Sequence, residues 1–94
     1  MKVIIIEDEK LSAEHMELLL KKIDSTIEII AIIDSVKKGL NYFKQNNNAD
    51  LIFVDIHLAD GLSFEIFSEI QLNTPVIFTT AYDKYAIQAF SLNS

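Results

Sequence analysis

Apolar and polar residues along this chain alternate between two spacings, and the alternation predicts strands and helices in turn. Short runs that are apolar throughout and rich in β-branched residues are typical of strands buried on both faces. Between these runs, apolar residues recur every three or four positions, as they do in amphipathic helices. The predicted strands are Lys2–Ile6, Ile27–Ile33, Asp50–Val54 and Val76–Thr79, and the predicted helices are Lys10–Ile23, a helix from Val36 to the Gln45-Asn48 stretch, Leu62–Gln71 and Asp83–Ser91.

Local signals support the helix assignments. Asp34-Ser35 is a plausible N-cap for the second helix, and the asparagines after Gln45 end it because asparagine favours turns. The first three helices have apolar residues at helical spacing: Met16, Leu19, Leu20 and Ile23 in the first, Val36, Leu40 and Phe43 in the second, and Leu62, Ile66 and Ile70 in the third.

The βαβαβαβα order predicts an α/β fold, a doubly wound parallel sheet with helices on both faces. The flavodoxin-like strand order 2-1-3-4 would place the first and third strands side by side. Ligands of such sheets bind at the carboxyl ends of the strands, near the point where the strand order reverses. Candidate functional residues are therefore sought at those ends.

Composition narrows the function classes. The chain has 94 residues, of which 50% are hydrophobic and 23% charged, as expected for one small globular domain. The net charge is −6 and no basic cluster exceeds the pairs Lys21-Lys22 and Lys37-Lys38, so this domain alone is a poor candidate for binding nucleic acid or membranes. It lacks cysteine, and because the first predicted strand begins at Lys2 we expect no signal peptide and a cytoplasmic protein.

Acidic residues follow two of the predicted strands. Glu7, Asp8 and Glu9 come after the first strand, and Asp55 comes after the third. Carboxylates held a few Å apart repel, so they share protons or bind a cation, and an all-oxygen site suits a hard divalent metal. Asp55 could instead cap a strand–loop junction or form a salt bridge, and Asp8 and Glu9 could be acids stabilised by a helix N-terminus.

Landmarks at the ends of three predicted strands, in the expected order, resemble those of the receiver domain of two-component response regulators. They are the pair Glu7-Asp8 after the first strand, Asp55 after the third, and Thr80-Ala81 after the fourth. The segment from Phe78 to Phe90, FTTAYDKYAIQAF, is similar to that of LytTR-type regulators, in which the receiver precedes a DNA-binding domain. The resemblance covers the whole chain, 1–94, as one receiver domain.

The resemblance implies a role for each landmark. Asp55 would be the phosphoacceptor for a sensor histidine kinase, and Glu7, Asp8 and Asp55 would hold Mg²⁺ together with the backbone carbonyl of His57. Thr80 would contact a phosphoryl oxygen and act as the switch, in preference to Thr79. The domain would not be an enzyme, beyond promoting its own phosphorylation and dephosphorylation.

The chain departs from the family pattern at its C-terminal side. A receiver of this family continues into a fifth strand, which carries a lysine that pairs with the phosphoryl group, and a fifth helix. We therefore expect a C-terminally incomplete receiver. The fourth strand would then be an open apolar edge, and the chain would form a homodimer or self-associate through it.

Two other classes compete with the signalling receiver. One is a pseudo-receiver or fragment that is not phosphorylated and acts only as a protein-interaction module. The other is a flavodoxin-like cofactor binder, which is disfavoured because Glu7, Asp8 and Glu9 would repel a phosphate after the first strand. Labelling of Asp55 by a phosphodonor in the presence of Mg²⁺ distinguishes a signalling receiver from the protein-interaction module.

Overall fold

Parallel strands alternate with helices in the computed structural model, which describes residues 1–46 and 48–79. In chain order the elements are β1 (Lys2–Ile6), α1 (Lys10–Ile23), β2 (Glu28–Ile33), α2 (Val36–Gln45), β3 (Leu51–Val54), β4 (His57–Leu58), β5 (Gly61–Leu62), α3 (Phe64–Glu69) and β6 (Val76–Phe78). Four of the strands form one sheet in the order β2-β1-β3-β6, and all three pairings are parallel. Because β6 corresponds to the fourth predicted strand, the predicted order 2-1-3-4 is confirmed.

Successive residues of β1 point to opposite faces of the sheet, and each face has its own buried cluster. Ile4 and Ile6 belong to the cluster that includes residues of α2 and α3, whereas Val3 and Ile5 belong to the cluster that includes residues of α1. All four of these side chains are at most 2% exposed. Helices therefore cover both faces of the described sheet, as a doubly wound fold requires.

The start of α2 follows the predicted capping signal. The Ser35 side chain accepts a hydrogen bond from the Lys38 backbone N–H at 3.1 Å, which satisfies one of the N–H groups left free at a helix start.

One turn into α2, Gly39 lies against α3, and a Cβ atom at this position would be 2.5 Å from Cδ1 of Ile66. The absence of a side chain at residue 39 therefore allows α2 and α3 to approach each other closely.

The third helix is shorter than the predicted Leu62–Gln71. Residues 57–62 form a small antiparallel ladder in which His57 pairs with Leu62 and Leu58 with Gly61. Gly61 has a φ of 150°, a conformation that favours glycine, and the Leu62 N–H donates to the Glu65 carboxylate at 2.9 Å. This side-chain contact satisfies the backbone ahead of the helix, so α3 begins only at Phe64.

The apolar positions of α1 are only partly buried. Leu20 is buried, together with Ala13, and Met16 packs against the same cluster. Leu19 and Ile23, which share the predicted apolar face, are 42% and 79% exposed. The apolar stripe of this helix is thus wider than the surface that it buries within the described part of the chain.

Several predictions concern the end of the chain. The helix Asp83–Ser91 and Thr80 lie outside the described residues. Within residues 1–46 and 48–79, β6 pairs with β3 on one side only, so association through its other edge stays a prediction. None of the helices in this described part is long and apolar enough to cross a bilayer.

Candidate functional site

The parallel register brings the ends of β1 and β3 together. Ile6 is paired with Val54, and the N–H of the next residue, Asp55, donates to the Ile6 carbonyl at 2.9 Å. On the other side of β1, the Glu7 N–H donates to the Ile33 carbonyl, also at 2.9 Å. Main-chain bonds of the sheet therefore fix the positions at which Glu7 and Asp55 leave it.

Three carboxylates meet at this edge. One side-chain oxygen from each of Glu7, Asp8 and Asp55 lies within 4.8 Å of the other two. Glu7 and Asp55 are half-buried, whereas Asp8 is exposed to solvent. Three oxygen ligands on one side and open solvent on the other fit a hard divalent cation that keeps part of its water shell. The proximity expected from the sequence is therefore present.

The surroundings of Glu7 favour its protonated form. The pKa of Glu7 is raised from its ordinary 4.5 to about 7, mainly by burial, with smaller contributions from the neighbouring Asp8 and Asp55. The Glu9 backbone N–H, which donates to the Glu7 carboxylate at 3.2 Å, lowers the pKa and opposes this effect. Burial and the two neighbouring carboxylates therefore disfavour the charged form of Glu7, and a bound cation would favour it.

This pKa predicts how the stability of the metal-free protein depends on pH. Between pH 4.5 and about 7 the folded state keeps a proton on Glu7 that the unfolded state has lost, so the free energy of unfolding falls as the pH rises. Glu7→Gln should remove this contribution and gain stability relative to the wild type across the same interval. Urea denaturation in a chelator-treated buffer at several pH values measures the difference.

The exposed α1 residue Glu14 provides the matched control. Glu14→Gln makes the same chemical change outside the cluster and should follow the wild-type pH profile. Parallel profiles for the wild type and Glu7→Gln would contradict the raised pKa assigned to Glu7.

Three further residues singled out in the sequence, His57, Glu9 and Thr79, lie near the carboxylate cluster along the chain or at the neighbouring strand end. His57 lies in β4 two residues after Asp55 with its side chain exposed, and metal binding by its carbonyl stays a prediction. Glu9 is the N-cap residue of α1, although its side chain makes no capping hydrogen bond. Thr79 is the last described residue, and its N–H donates to the Val54 carbonyl at 3.0 Å. The β6 end therefore lies beside the β3 end that leads to Asp55.

The structure also shows a contact at Asp60 that the sequence reasoning missed. The Asp60 carboxylate accepts hydrogen bonds from the backbone N–H groups of Val36 and Lys37, at 2.7 and 3.0 Å. These bonds hold the pKa of Asp60 below its ordinary range. The sequence signal was an acid in the turn Ala59-Asp60-Gly61, but nothing local indicated its distant partners.

Comparison with known proteins gives a consistent result. The family model described as "Response regulator receiver domain" matches residues 3–94. The sensory transduction protein LytT of Bacillus anthracis is 36% identical over 97 residues, and the transcriptional regulatory protein LytR of Staphylococcus aureus is 39% identical over 97 residues. Each match includes the whole chain and 39% of the relative, so the chain spans about two fifths of the length of these proteins.

Solved structures show the same similarity. The response regulatory domain of protein mrkE from Klebsiella pneumoniae matches with a TM-score of 0.79 and 33% identity, over 100% of this chain and 78% of that one. The response regulator PhyR from Brucella abortus matches with a TM-score of 0.73 and 30% identity, over 86% of this chain and 33% of that one.

Proposed function

The chain belongs to the response regulator receiver domain family, a family of two-component signalling, and on this premise we propose that it accepts a phosphoryl group on Asp55. The observation that carries the proposal is the cluster of Glu7, Asp8 and Asp55 within 4.8 Å at the carboxyl end of the sheet. Asp55 follows the inner strand β3, and its backbone is fixed by the hydrogen bond to Ile6.

The proposed reaction is a phosphoryl transfer to a carboxylate. A side-chain oxygen of Asp55 attacks phosphorus, an O–P bond forms, and the bond from phosphorus to the donor breaks. With a histidine kinase as partner, the leaving group is the imidazole nitrogen of a phosphohistidine, which keeps the electron pair of the broken P–N bond. Water later cleaves the acyl phosphate and returns the carboxylate and inorganic phosphate.

Mg²⁺ is the proposed metal. Glu7, Asp8, Asp55 and the carbonyl of His57 would hold it, and the hard oxygen donors of the three carboxylates fit this ion. When bound, the ion neutralises negative charge on the transferring phosphoryl oxygens. The raised pKa of Glu7 supports the assignment, because burial and the neighbouring carboxylates disfavour a negative charge that a divalent cation would stabilise.

The remaining parts of the proposal rest on family membership. Thr80, which lies outside the described residues, would donate its hydroxyl to a phosphoryl oxygen and convey the phosphorylated state. LytT and LytR are named as sensory transduction and transcriptional regulatory proteins, so we propose a transcriptional output through a DNA-binding domain. The domain itself acts as acceptor and not as a catalyst for another substrate.

Phosphodonor labelling tests the proposal. The protein is incubated with acetyl phosphate, whose acetate leaves with the electron pair of the broken P–O bond, and is analysed by intact mass spectrometry. We expect one phosphoryl group per chain with Mg²⁺, much slower labelling with a chelator, and fragment ions that locate the group on Asp55. An unlabelled chain in Mg²⁺ would favour a binding-only receiver instead.

A further inference from the structure

The β3–α3 loop, residues 55–63, is held by contacts within itself and with α3. The β4 and β5 pairs close it, the Ser63 N–H donates to the Ile56 carbonyl at 2.9 Å, and the Leu62 N–H donates to Glu65 at 2.9 Å. Ile56 is fully buried below the loop. These hydrogen bonds give the loop its own shape, and Leu58 packs in the same buried cluster as Val36 and Phe43 of α2, but none of these hydrogen bonds joins the loop to α2.

Asp60 connects this loop to α2. Each of its two carboxylate oxygens accepts one backbone N–H of the first helical turn, Oδ1 from Val36 at 2.7 Å and Oδ2 from Lys37 at 3.0 Å. Hydrogen bonds to an ionised carboxylate are stronger than neutral ones, and a negative charge at a helix N-terminus also interacts favourably with the helix dipole. These bonds connect the loop to residues of α2 that precede Asp60 by 24 positions (Val36) and 23 positions (Lys37).

The helix has a second cap that does not involve the loop. Ser35 accepts the N–H of Lys38, so α2 possesses the usual side-chain cap of a helix start. The two caps satisfy different N–H groups of the same turn. Of the two, only the Asp60 cap also joins α2 to the segment that follows Asp55. Removing Ser35 therefore affects the stability of the helix alone, whereas removing Asp60 also affects the position of the loop.

We infer that Asp60 is a positioning residue, whose bonds to α2 hold the β3–α3 loop so that Asp55 and the His57 carbonyl keep the arrangement needed for phosphoryl acceptance. The inference rests on the proposed function of Asp55. The loop is fixed at one end by the bond from Asp55 to Ile6 and at the other by Asp60, only five residues later. Release of the second anchor leaves only the packing of the buried Ile56 and Leu58 and the β4–β5 pairing to position the intervening residues, and displacements of ~1 Å can slow a reaction by as much as about a hundredfold.

Three variants separate positioning from capping. Asp60→Ala removes both acceptor oxygens, Asp60→Asn keeps one, and Ser35→Ala removes the other cap of α2 without touching the loop. At a temperature where all are folded by circular dichroism, Asp60→Ala should lower the rate of labelling by acetyl phosphate and Mg²⁺ about tenfold. Asp60→Asn should recover most of the rate, and Ser35→Ala should stay within about twofold of the wild type.

Amide hydrogen exchange by NMR provides the second readout and needs no phosphodonor. The N–H groups of Leu62 and Ser63, which close the loop, should exchange faster in Asp60→Ala than in Ser35→Ala. Equal labelling rates in these two variants, or equal exchange at both amides, would overturn the inference. If the wild type is not labelled at all, the proposed function fails, and exchange alone then decides whether Asp60 holds the loop.

Discussion

Replacement of Asp55 by asparagine should abolish phosphoryl labelling and leave the fold intact. The amide has nearly the shape of the carboxylate, but it lacks the anionic oxygen that attacks phosphorus. The backbone N–H of residue 55 still donates to the Ile6 carbonyl, so the strand pairing is unchanged. Because one of three clustered carboxylates is neutralised, the metal-free variant should be at least as stable as the wild type.

Intact mass after incubation with acetyl phosphate and Mg²⁺ measures the loss, and urea denaturation measures the stability. Asp34→Asn is the matched control. Asp34 also follows a parallel strand, β2, but it is exposed and pairs with Lys38 at 3.1 Å, outside the carboxylate cluster. This control should be labelled like the wild type. Stoichiometric labelling of Asp55→Asn would mean that Glu7, Asp8 or another group is the acceptor.

Replacement of Ile52 by alanine should lower the free energy of unfolding by about 3–4 kcal/mol. Ile52 lies in β3 between Ile4 of β1 and Val76 of β6, and its side chain is fully buried. The truncation loses the transfer free energy of the removed methyl and methylene groups and leaves a cavity that packed neighbours fill only in part. A loss of this size is a large share of the about 5–15 kcal/mol that stabilises a typical domain.

Ile32→Ala is the matched control for the core substitution. Ile32 is also a strand isoleucine of the same sheet, but it is 47% exposed. The same atoms are removed from a site that solvent already reaches, so the loss should stay below about 1 kcal/mol. Urea denaturation of both variants gives the comparison. Similar losses at the two positions would contradict the assignment of Ile52 to the central core.

Strong periodic signals allowed much of the fold to be predicted from sequence. The bounds of β1 and α1 agree with the prediction at both ends, because each has an uninterrupted pattern over its whole length. Ser35 identified the start of α2, since capping depends on residues within one turn of each other. The strand order agrees with the flavodoxin-like order expected for a doubly wound sheet, and it brings Glu7 and Asp55 together.

The segment between β3 and α3 could not be predicted in the same way. Leu62, Ile66 and Ile70 have helical spacing, but the conformation of Gly61 and the bond from Leu62 to Glu65 delay the helix to Phe64. Two residues, Ala59 and Asp60, separate the short strands β4 and β5. Such short ladders carry too few residues for an alternating pattern to be recognised.

The role of Asp60 was beyond sequence reasoning for a different reason. An aspartate before glycine in a loop is typical of a turn, and that explanation is locally sufficient. Its partners, the N–H groups of residues 36 and 37, become neighbours only after β3 is placed beside β1 and α2 is packed on the sheet. Tertiary structure, and not local preference, determines this contact.

The hydrogen bonds between Asp60 and α2 end on main-chain atoms of the helix. We therefore expect them to leave almost no signal in the pattern of amino-acid substitutions among related sequences. Any residue except proline supplies the N–H that Asp60 accepts, so Val36 and Lys37 can be replaced without loss of the bond. For this contact, position 60 needs an acceptor side chain, whereas positions 36 and 37 need only a backbone N–H, although Val36 is also buried in the core. Paired substitutions, which often reveal contacts between side chains, should therefore not connect these positions.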